Sequence, residues 1–535
     1  MKQNKNKNKN QKKKYFSAYE YKLQVPGILR LLFALLLFFL ELGIFAYISV
    51  KISKLGLGFL LLWQIAALIF TIYLSQKPQQ TSYVHFWIML ILFFPPLGFI
   101  LYFVWGRDKR FPKKEQQFKE SLARRKPFQK STKEALGEVK DLSLNMAAKR
   151  QLGYFCNYNF PVYQNCNLTY FRSGEAQYKQ MFKDISEAKD YIFLEVFIVA
   201  DGYIWEKTVD LLIRKAQEGV EIRLLLDDFG TIAKMDWSVI NKLKKNKIKF
   251  IRFNPVIRYA SGLYQNYRNH KKSCLIDGKI AWLGSANLGD EYVNLISRFG
   301  YWKDNALRIE GEACRSILLD FLLLWEHERE FPLDEDYSKF IAQVSTEASP
   351  ENKGLLVPFW NGPLGSEEKI AIHVINSVIN TATEKLIIST PYLILEDSIA
   401  ISLCQAAKSG IDVNIILPDI PDKPLVYLIS QSNYGNLLKA GCRIYQYKPG
   451  FIHAKTLLAD GEIALMGSIN LDYRSLYLNF ENGIYIYKHP VIEDMYQDYE
   501  NILANCREIL LEEWEKRPLW KKIVQFILRP FSPLI

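Results

Sequence analysis

Two sets of residues in the chain have the types and spacing to act on a phosphodiester. The first is His270-Lys-Lys272, then Asp277-Gly278, then Gly284-Ser285-Ala-Asn287. The second is His453-Ala-Lys455, Asp460-Gly461 and Gly467-Ser468-Ile-Asn470, every member 183 residues after its counterpart. Imidazole near neutral pH can attack as a nucleophile or carry a proton. Lysine, asparagine and serine can hold phosphate oxygens and stabilise the charge of a trigonal-bipyramidal transition state. Losing one such donor typically costs a few kcal/mol of barrier. His270, Lys272, Asp277, His453, Lys455 and Asp460 form the candidate catalytic set. Ser285, Asn287, Ser468 and Asn470 are the candidate substrate-holding donors. Paired histidines working in opposite protonation states predict a bell-shaped pH dependence.

The spacing also predicts the local structure. Histidine and lysine at i and i+2 of an extended segment face the same way. Asp-Gly between Cys274-Leu-Ile and Lys279-Ile-Ala-Trp-Leu is a hairpin-turn signal, so Asp277 and Asp460 are expected as turn and scaffold members. The returning strand then carries Gly-Ser-x-Asn back toward the histidine. Around each motif, strands alternate with helices. Tyr191–Ile198, a helix with Ala216-Gln-Glu-Gly219 and Val220–Asp227 match Leu386–Leu393, a helix with Ala407-Lys-Ser-Gly410 and Ile411–Pro418. The pattern predicts an α/β fold of two repeats, each a sheet flanked by helices, forming one pseudo-symmetric unit. Glu195 and Asp227-Asp228 end or interrupt apolar strands and are candidates for the cleft wall or for hydrogen bonds within the fold.

Three apolar segments precede this unit, at about 28–50, 55–74 and 84–105, each with the roughly 20 residues needed to cross a bilayer as a helix. The N-terminal tail and the stretch Arg107, Lys109, Arg110, Lys113, Lys114 are basic. Positive charge at both ends calls for an even number of crossings, so one segment is expected to be re-entrant or interfacial. Glu41 in the first and Pro95-Pro96 in the third are the irregularities. The expected division is a basic tail over 1–27, transmembrane helices over 28–106 and a basic linker over 107–150. Repeat 1 follows over 151–335, then repeat 2 over 336–535 with an amphipathic helix between Trp514 and Phe531.

Of the 535 residues, 49% are hydrophobic, which excludes a mostly disordered protein. Residues 1–150 hold 26 Lys/Arg against 8 Asp/Glu, and the remainder 43 against 48. The positive excess therefore flanks the apolar segments. It points to anionic lipid headgroups and argues against a nucleic-acid partner. Seven scattered cysteines without a C-x-x-C pair indicate neither a disulfide framework nor a thiolate metal site. No metal or cofactor is expected.

The double motif resembles that of the phospholipase D superfamily, and its context resembles bacterial cardiolipin synthases. The supporting stretches include Pro95–Tyr102 with Gly106-Arg107, Asn287-Leu-Gly-Asp-Glu-Tyr292 and Tyr301-Trp-Lys-Asp304. Others are Tyr445–His453, Asn470-Leu-Asp-Tyr-Arg-Ser475 with Leu478-Asn-Phe-Glu481, and Phe531-Ser-Pro-Leu-Ile535. The resemblance implies two repeats sharing one site and transfer of a phosphatidyl group through a phosphatidyl-histidine. The substrates implied are two phosphatidylglycerols and the products cardiolipin and glycerol, in the cell membrane. It implies His270 as nucleophile and His453 as acid/base, although the symmetry permits the reverse. It implies that Glu481 orients His453, with Asp304 as the corresponding residue of the first half. The family commonly has two membrane segments, so the third departs from its pattern. A phospholipase D-type hydrolase, transfer to another alcohol, a nuclease and a silent scaffold are the rival readings. Self-association is compatible with the sequence.

Overall fold

The computed structural model describes residues 53–76, 81–106, 112–132, 144–256, 266–329, 336–345, 354–365 and 368–534, with the isolated residues 43 and 47. The basic tail and most of the first apolar segment lie outside them. The second segment is the helix Ser53–Ser75. The third is broken where Pro95 and Pro96 interrupt the pattern. A helix over Thr81–Phe93 ends at Phe94, and a second runs over Pro95–Leu101. The second folds back on the first: a Cβ at Gly98 would lie 2.6 Å from Ile91 Cα. The two ends of the segment meet, with Tyr83 Oη donating to the Gly106 carbonyl at 3.0 Å. Thirteen residues of helix reach about 20 Å, short of the hydrocarbon core. Among the described residues, no helix is long and apolar enough to cross a membrane.

The remainder is α/β. A seven-stranded sheet runs in the order Asn167–Phe171, Ala306–Glu310, Ile280–Gly284, Ser273–Ile276, Tyr191–Val196, Glu221–Asp227, Lys249–Phe253. The second sheet repeats that order with Leu355–Asn361, Asn479–Tyr487, Ile463–Gly467, Thr456–Ala459, Lys385–Ser389, Asp412–Pro418 and Arg443–Tyr447. The central strands of each repeat are parallel, as helical crossovers require, and the strands that carry the motif are antiparallel. Leu224, Leu225 and Leu226 are fully buried, as expected for a parallel strand covered on both faces. The helix Cys314–Glu328 is buried nearly all round and touches strands of both sheets. A single apolar cluster joins Phe193, Leu275, Leu283 and Phe321 of the first half to Leu355, Ile388, Leu458 and Ile484 of the second.

The described parts of the expected linker, 112–132 and 144–150, are docked on the catalytic unit. The helix Pro112–Arg125 lies on Cys314–Glu328 with Phe118 fully buried, and Gln151 of the helix Met146–Asn157 donates to Thr381 Oγ1 at 2.8 Å. The two-residue strand Tyr163–Gln164 joins the second sheet, although it precedes the first repeat's own strands.

Candidate active site

The Asp-Gly turns form as the sequence predicts. Asp277 and Gly278 have φ of 53° and 64°, and Asp460 and Gly461 have 54° and 70°. Asparagine, aspartate and glycine tolerate this left-handed region best. Each aspartate holds backbone. Asp277 accepts from the amides of Lys189, Asp190 and Tyr191 at 2.8 Å, and Asp460 from those of Thr383, Glu384 and Lys385 at 2.7–2.9 Å. These carboxylates are occupied in pinning the motif hairpin to the parallel strand beside it, as the turn-and-scaffold reading expects.

His270 and Lys272 turn to one side, and Lys271 turns to the other, where it meets Asp320 at 2.8 Å. Lys272 Nζ donates back to the His270 carbonyl at 2.5 Å, and Lys455 Nζ does the same to His453. Behind the first histidine, Asn269 is clamped from two directions. Its side chain donates to Glu195 at 2.7 Å, and its amide to Asp227 at 2.9 Å. Glu195 and Asp227 thus support the histidine segment from within the fold.

Short strand pairs between the halves complete the site. Arg268–Asn269 runs parallel to the start of Asn479–Tyr487, and Tyr301–Lys303 runs parallel to Gly450–Ile452. The first pair brings Glu481 beside His270, and the second brings Asp304 beside His453. His270 Nδ1 lies 2.9 Å from Glu481 and His453 Nδ1 2.9 Å from Asp304. This exchanges the expected assignment. Glu481 orients His270, not the histidine of its own half, because the neighbouring strand at that point belongs to the other half.

The serines also depart from expectation. Ser285 Oγ donates to Asp304 and Ser468 Oγ to Glu481, and both serines are fully buried. Their hydroxyls are engaged by the carboxylates in this arrangement. Trp302 Nε1 donates to Asp304 at 2.8 Å and Asn479 Nδ2 to Glu481 at 3.1 Å. Despite burial, which alone raises a carboxyl pKa, both acids lie below the usual range, held there by the paired histidine, the adjacent lysine and the serine. As carboxylates they only accept, so each imidazole carries its proton on Nδ1 and presents Nε2 to the cleft. The carboxamide oxygen of Asn287 is taken by the Ile198 amide at 3.0 Å, while Asn470 Oδ1 is buried with no partner among the described residues.

Charges of both halves act on one another. Burial lowers His270 to about 3, with Lys272 and Lys455 adding to the shift against Glu481. Burial, Lys455 and Lys272 lower His453 to about 4 against Asp304. Burial also brings Lys272 down to about 7 and Lys455 to about 8. The two histidine–lysine pairs therefore form one electrostatic cluster. Aromatic rings wall it: Phe197 lies 4.8 Å from the His270 ring, and Trp302 lies 5.2 Å from that of His453.

Sequence reasoning missed Trp302 and Asn479, each two residues before a paired carboxylate. It also missed Lys303, whose carbonyl accepts from the amides of His453 and Ala454. Lys303 Nζ is held by Asp498 at 2.7 Å. The i, i+2 relation of Trp302 to Asp304 and of Asn479 to Glu481 was the available signal.

Two α/β halves that cross-supply carboxylates to a pair of histidine–lysine motifs define a phospholipase D-like protein. The family described as "Cardiolipin synthase, PLD-like domain" matches residues 181–301 and 375–503, and "Phospholipase D-nuclease N-terminal" matches 62–107. A cardiolipin synthase of Clostridium perfringens is 34% identical over 464 residues, covering 86% of this chain and 96% of its own. The Bacillus subtilis protein named major cardiolipin synthase ClsA is 32% identical over 500 residues, covering 91% and 100%. The crystal structure of phosphatidylserine synthase from Haemophilus influenzae shares the fold at 18% identity. Its TM-score is 0.56, covering 73% of this chain and 98% of that one. The chain belongs to the cardiolipin synthase family with phospholipase D-like repeats.

Proposed function

We propose that the protein makes cardiolipin and glycerol from two phosphatidylglycerols. The cross-paired histidines carry this reading: two Nε2 atoms, each backed by a carboxylate of the opposite half, in one lysine-bearing cluster. His270 Nε2 attacks phosphorus. His453 enters this step as imidazolium, the anionic phosphate favouring a second proton on its Nε2, and that proton passes to the departing glycerol oxygen as the P–O bond breaks. The terminal hydroxyl of the second phosphatidylglycerol then gives its proton to His453 and attacks phosphorus. The P–N bond breaks and His270 is regenerated. Lys272 and Lys455 meet the phosphate charge, and Asn287 and Asn470 present their NH2 ends to it. Both histidines are only 8% exposed, which keeps water scarce around the phosphatidyl-histidine and favours a lipid alcohol as acceptor.

The apolar surface of the N-terminal helices supports a membrane location for this chemistry. Leu61, Leu62, Ile65, Leu68, Ile69 and Ile72 of Ser53–Ser75 are all more than half exposed, a surface suited to acyl chains. The membrane is the proposed location and phosphatidylglycerol the proposed partner.

Purified protein in phosphatidylglycerol vesicles should yield cardiolipin and glycerol in equal amounts by mass spectrometry. Phosphatidic acid without cardiolipin would overturn the synthase reading in favour of hydrolysis.

The pKa directions set the pH profile. Depressed by burial, His270 is neutral and able to attack above about 3, whereas His453 in the free enzyme keeps the proton it must donate only below about 4. The lysines, also depressed, lose their charge as pH rises through about 7 to 8. The ratio kcat/KM should therefore fall below about pH 3 as His270 is protonated, decline above about 4 as His453 loses the proton it must donate, and drop further as the lysines discharge. A bound phosphate favours charged lysine, so the alkaline limb of kcat should lie higher than that of kcat/KM. Steady-state rates across pH test both limbs.

A further inference from the structure

The helix Leu519–Leu528 turns its apolar side outward. Leu519, Trp520, Ile523, Phe526 and Ile527 recur at the three- and four-residue spacing of one helix face. Each is at least half exposed, Phe526 at 81%. The opposite side faces the protein with Gln525, which is 3% exposed and accepts from Arg517 Nε at 2.9 Å. A helix that buries glutamine and exposes phenylalanine is inverted relative to a surface helix whose outer face meets water.

Two features indicate what covers this stripe. The first is continuity with the apolar N-terminal helices: the tail after the helix packs on Thr81–Phe93, and the rings of Phe531 and Phe86 lie 5.3 Å apart. Leu425, 62% exposed, extends the stripe from the adjoining helix Pro424–Ser432. The second is charge. Residues 516–529 include Lys516, Arg517, Lys521, Lys522 and Arg529 and no acid. Tryptophan within a basic, apolar-faced helix suits the headgroup boundary of an anionic bilayer. We infer that Leu519–Leu528 is an interfacial foot, its apolar face inserted just below the lipid headgroups, that seats the second half of the catalytic unit on the bilayer. This deepens the proposed function and rests on its reading of a membrane enzyme.

The foot is wired to the site. Its Leu528 packs against Ile394, Ile429 and Tyr473. Ser430 Oγ, on the helix beside it, accepts from the Leu393 amide at 2.8 Å, and Leu393 bridges to Leu471, the residue after Asn470. In the same wall, the ring of Tyr392 lies 6.4 Å from that of Phe451, which stacks on His453 at 6.0 Å. Seating the helix at the headgroup level thus holds the cleft near the depth of the lipid phosphates.

The test uses full-length protein in phosphatidylglycerol vesicles doped with lipids brominated near the top of the acyl chains. The emission lost in Trp520→Phe reports position 520. That component should be quenched by the brominated lipids. The double substitution Ile523→Asp with Phe526→Asp should lower turnover of vesicle lipid by about tenfold or more while leaving turnover of dispersed short-chain phosphatidylglycerol unchanged. An unquenched Trp520 overturns the inference, and so does an equal loss on both substrates. If Trp520 is shielded and the double variant converts a dimer to a monomer, a second copy covers the face and the inference also fails. Quenching needs no turnover, so a wild-type protein that makes no cardiolipin sinks the functional reading while the position of the helix is still decided.

Discussion

His270→Ala should lower cardiolipin formation by on the order of 10⁴-fold or more and eliminate any phosphatidyl-enzyme. His453→Ala should lower overall turnover comparably for a different reason. In the proposed mechanism its Nε2 protonates the leaving glycerol and deprotonates the acceptor, so without it an adduct on His270 should form slowly and persist. Mass spectrometry of protein denatured at alkaline pH after a single turnover distinguishes the two. An adduct in His270→Ala and none in His453→Ala would reverse the roles, which the near symmetry of the site allows. Lipid turnover that survived both substitutions together would remove the histidine mechanism.

Glu481→Gln and Asp304→Asn should each cost on the order of 10³-fold, because an amide can present its NH2 to Nδ1 and favour the wrong tautomer. The two should fail at different steps, and the exchange of partners decides which. Glu481 backs His270 across the seam, so Glu481→Gln should slow formation of the phosphatidyl-enzyme most. Asp304 backs His453, so Asp304→Asn should slow both the release of glycerol and the transfer to the second lipid. Single-turnover formation and decay of the adduct separate these outcomes. If each carboxylate served the histidine of its own half, the pattern would be reversed.

Much of this site could be read from residue types and spacing. The motif is local: histidine, lysine, turn aspartate and returning asparagine lie within 18 residues of one another, His270 to Asn287. Hairpin geometry alone brings such a set together. The parallel core of each half was equally legible from apolar strands alternating with helices. The partner of each imidazole was not. It depends on short strands, Arg268–Asn269 with Asn479–Tyr487 and Tyr301–Lys303 with Gly450–Ile452, that exist only once the halves have closed. Glu481 and Asp304 were recognised as orienting groups, but from a resemblance that carries no seam geometry. The carboxylate partners of the serines were not legible either, because a hydroxyl beside a glycine suits a phosphate and a carboxylate equally and only the closed fold brings Asp304 and Glu481 to them. The two irregular apolar segments could not be ranked from sequence. The Pro95-Pro96 break and the contact of Tyr83 with Gly106 identify the third as doubled back on itself.

The exchange of carboxylates also bears on what happens when the molecule comes apart. A lipid-cleaving centre that stayed armed in a damaged or half-made chain would be a hazard to the bilayer around it. Here neither half keeps a backed imidazole once the seam opens, because each has lent its acid to the other. Strain, heat or incomplete synthesis that parts the halves would disarm both histidines together, leaving the fragment harmless instead of a stray lipase.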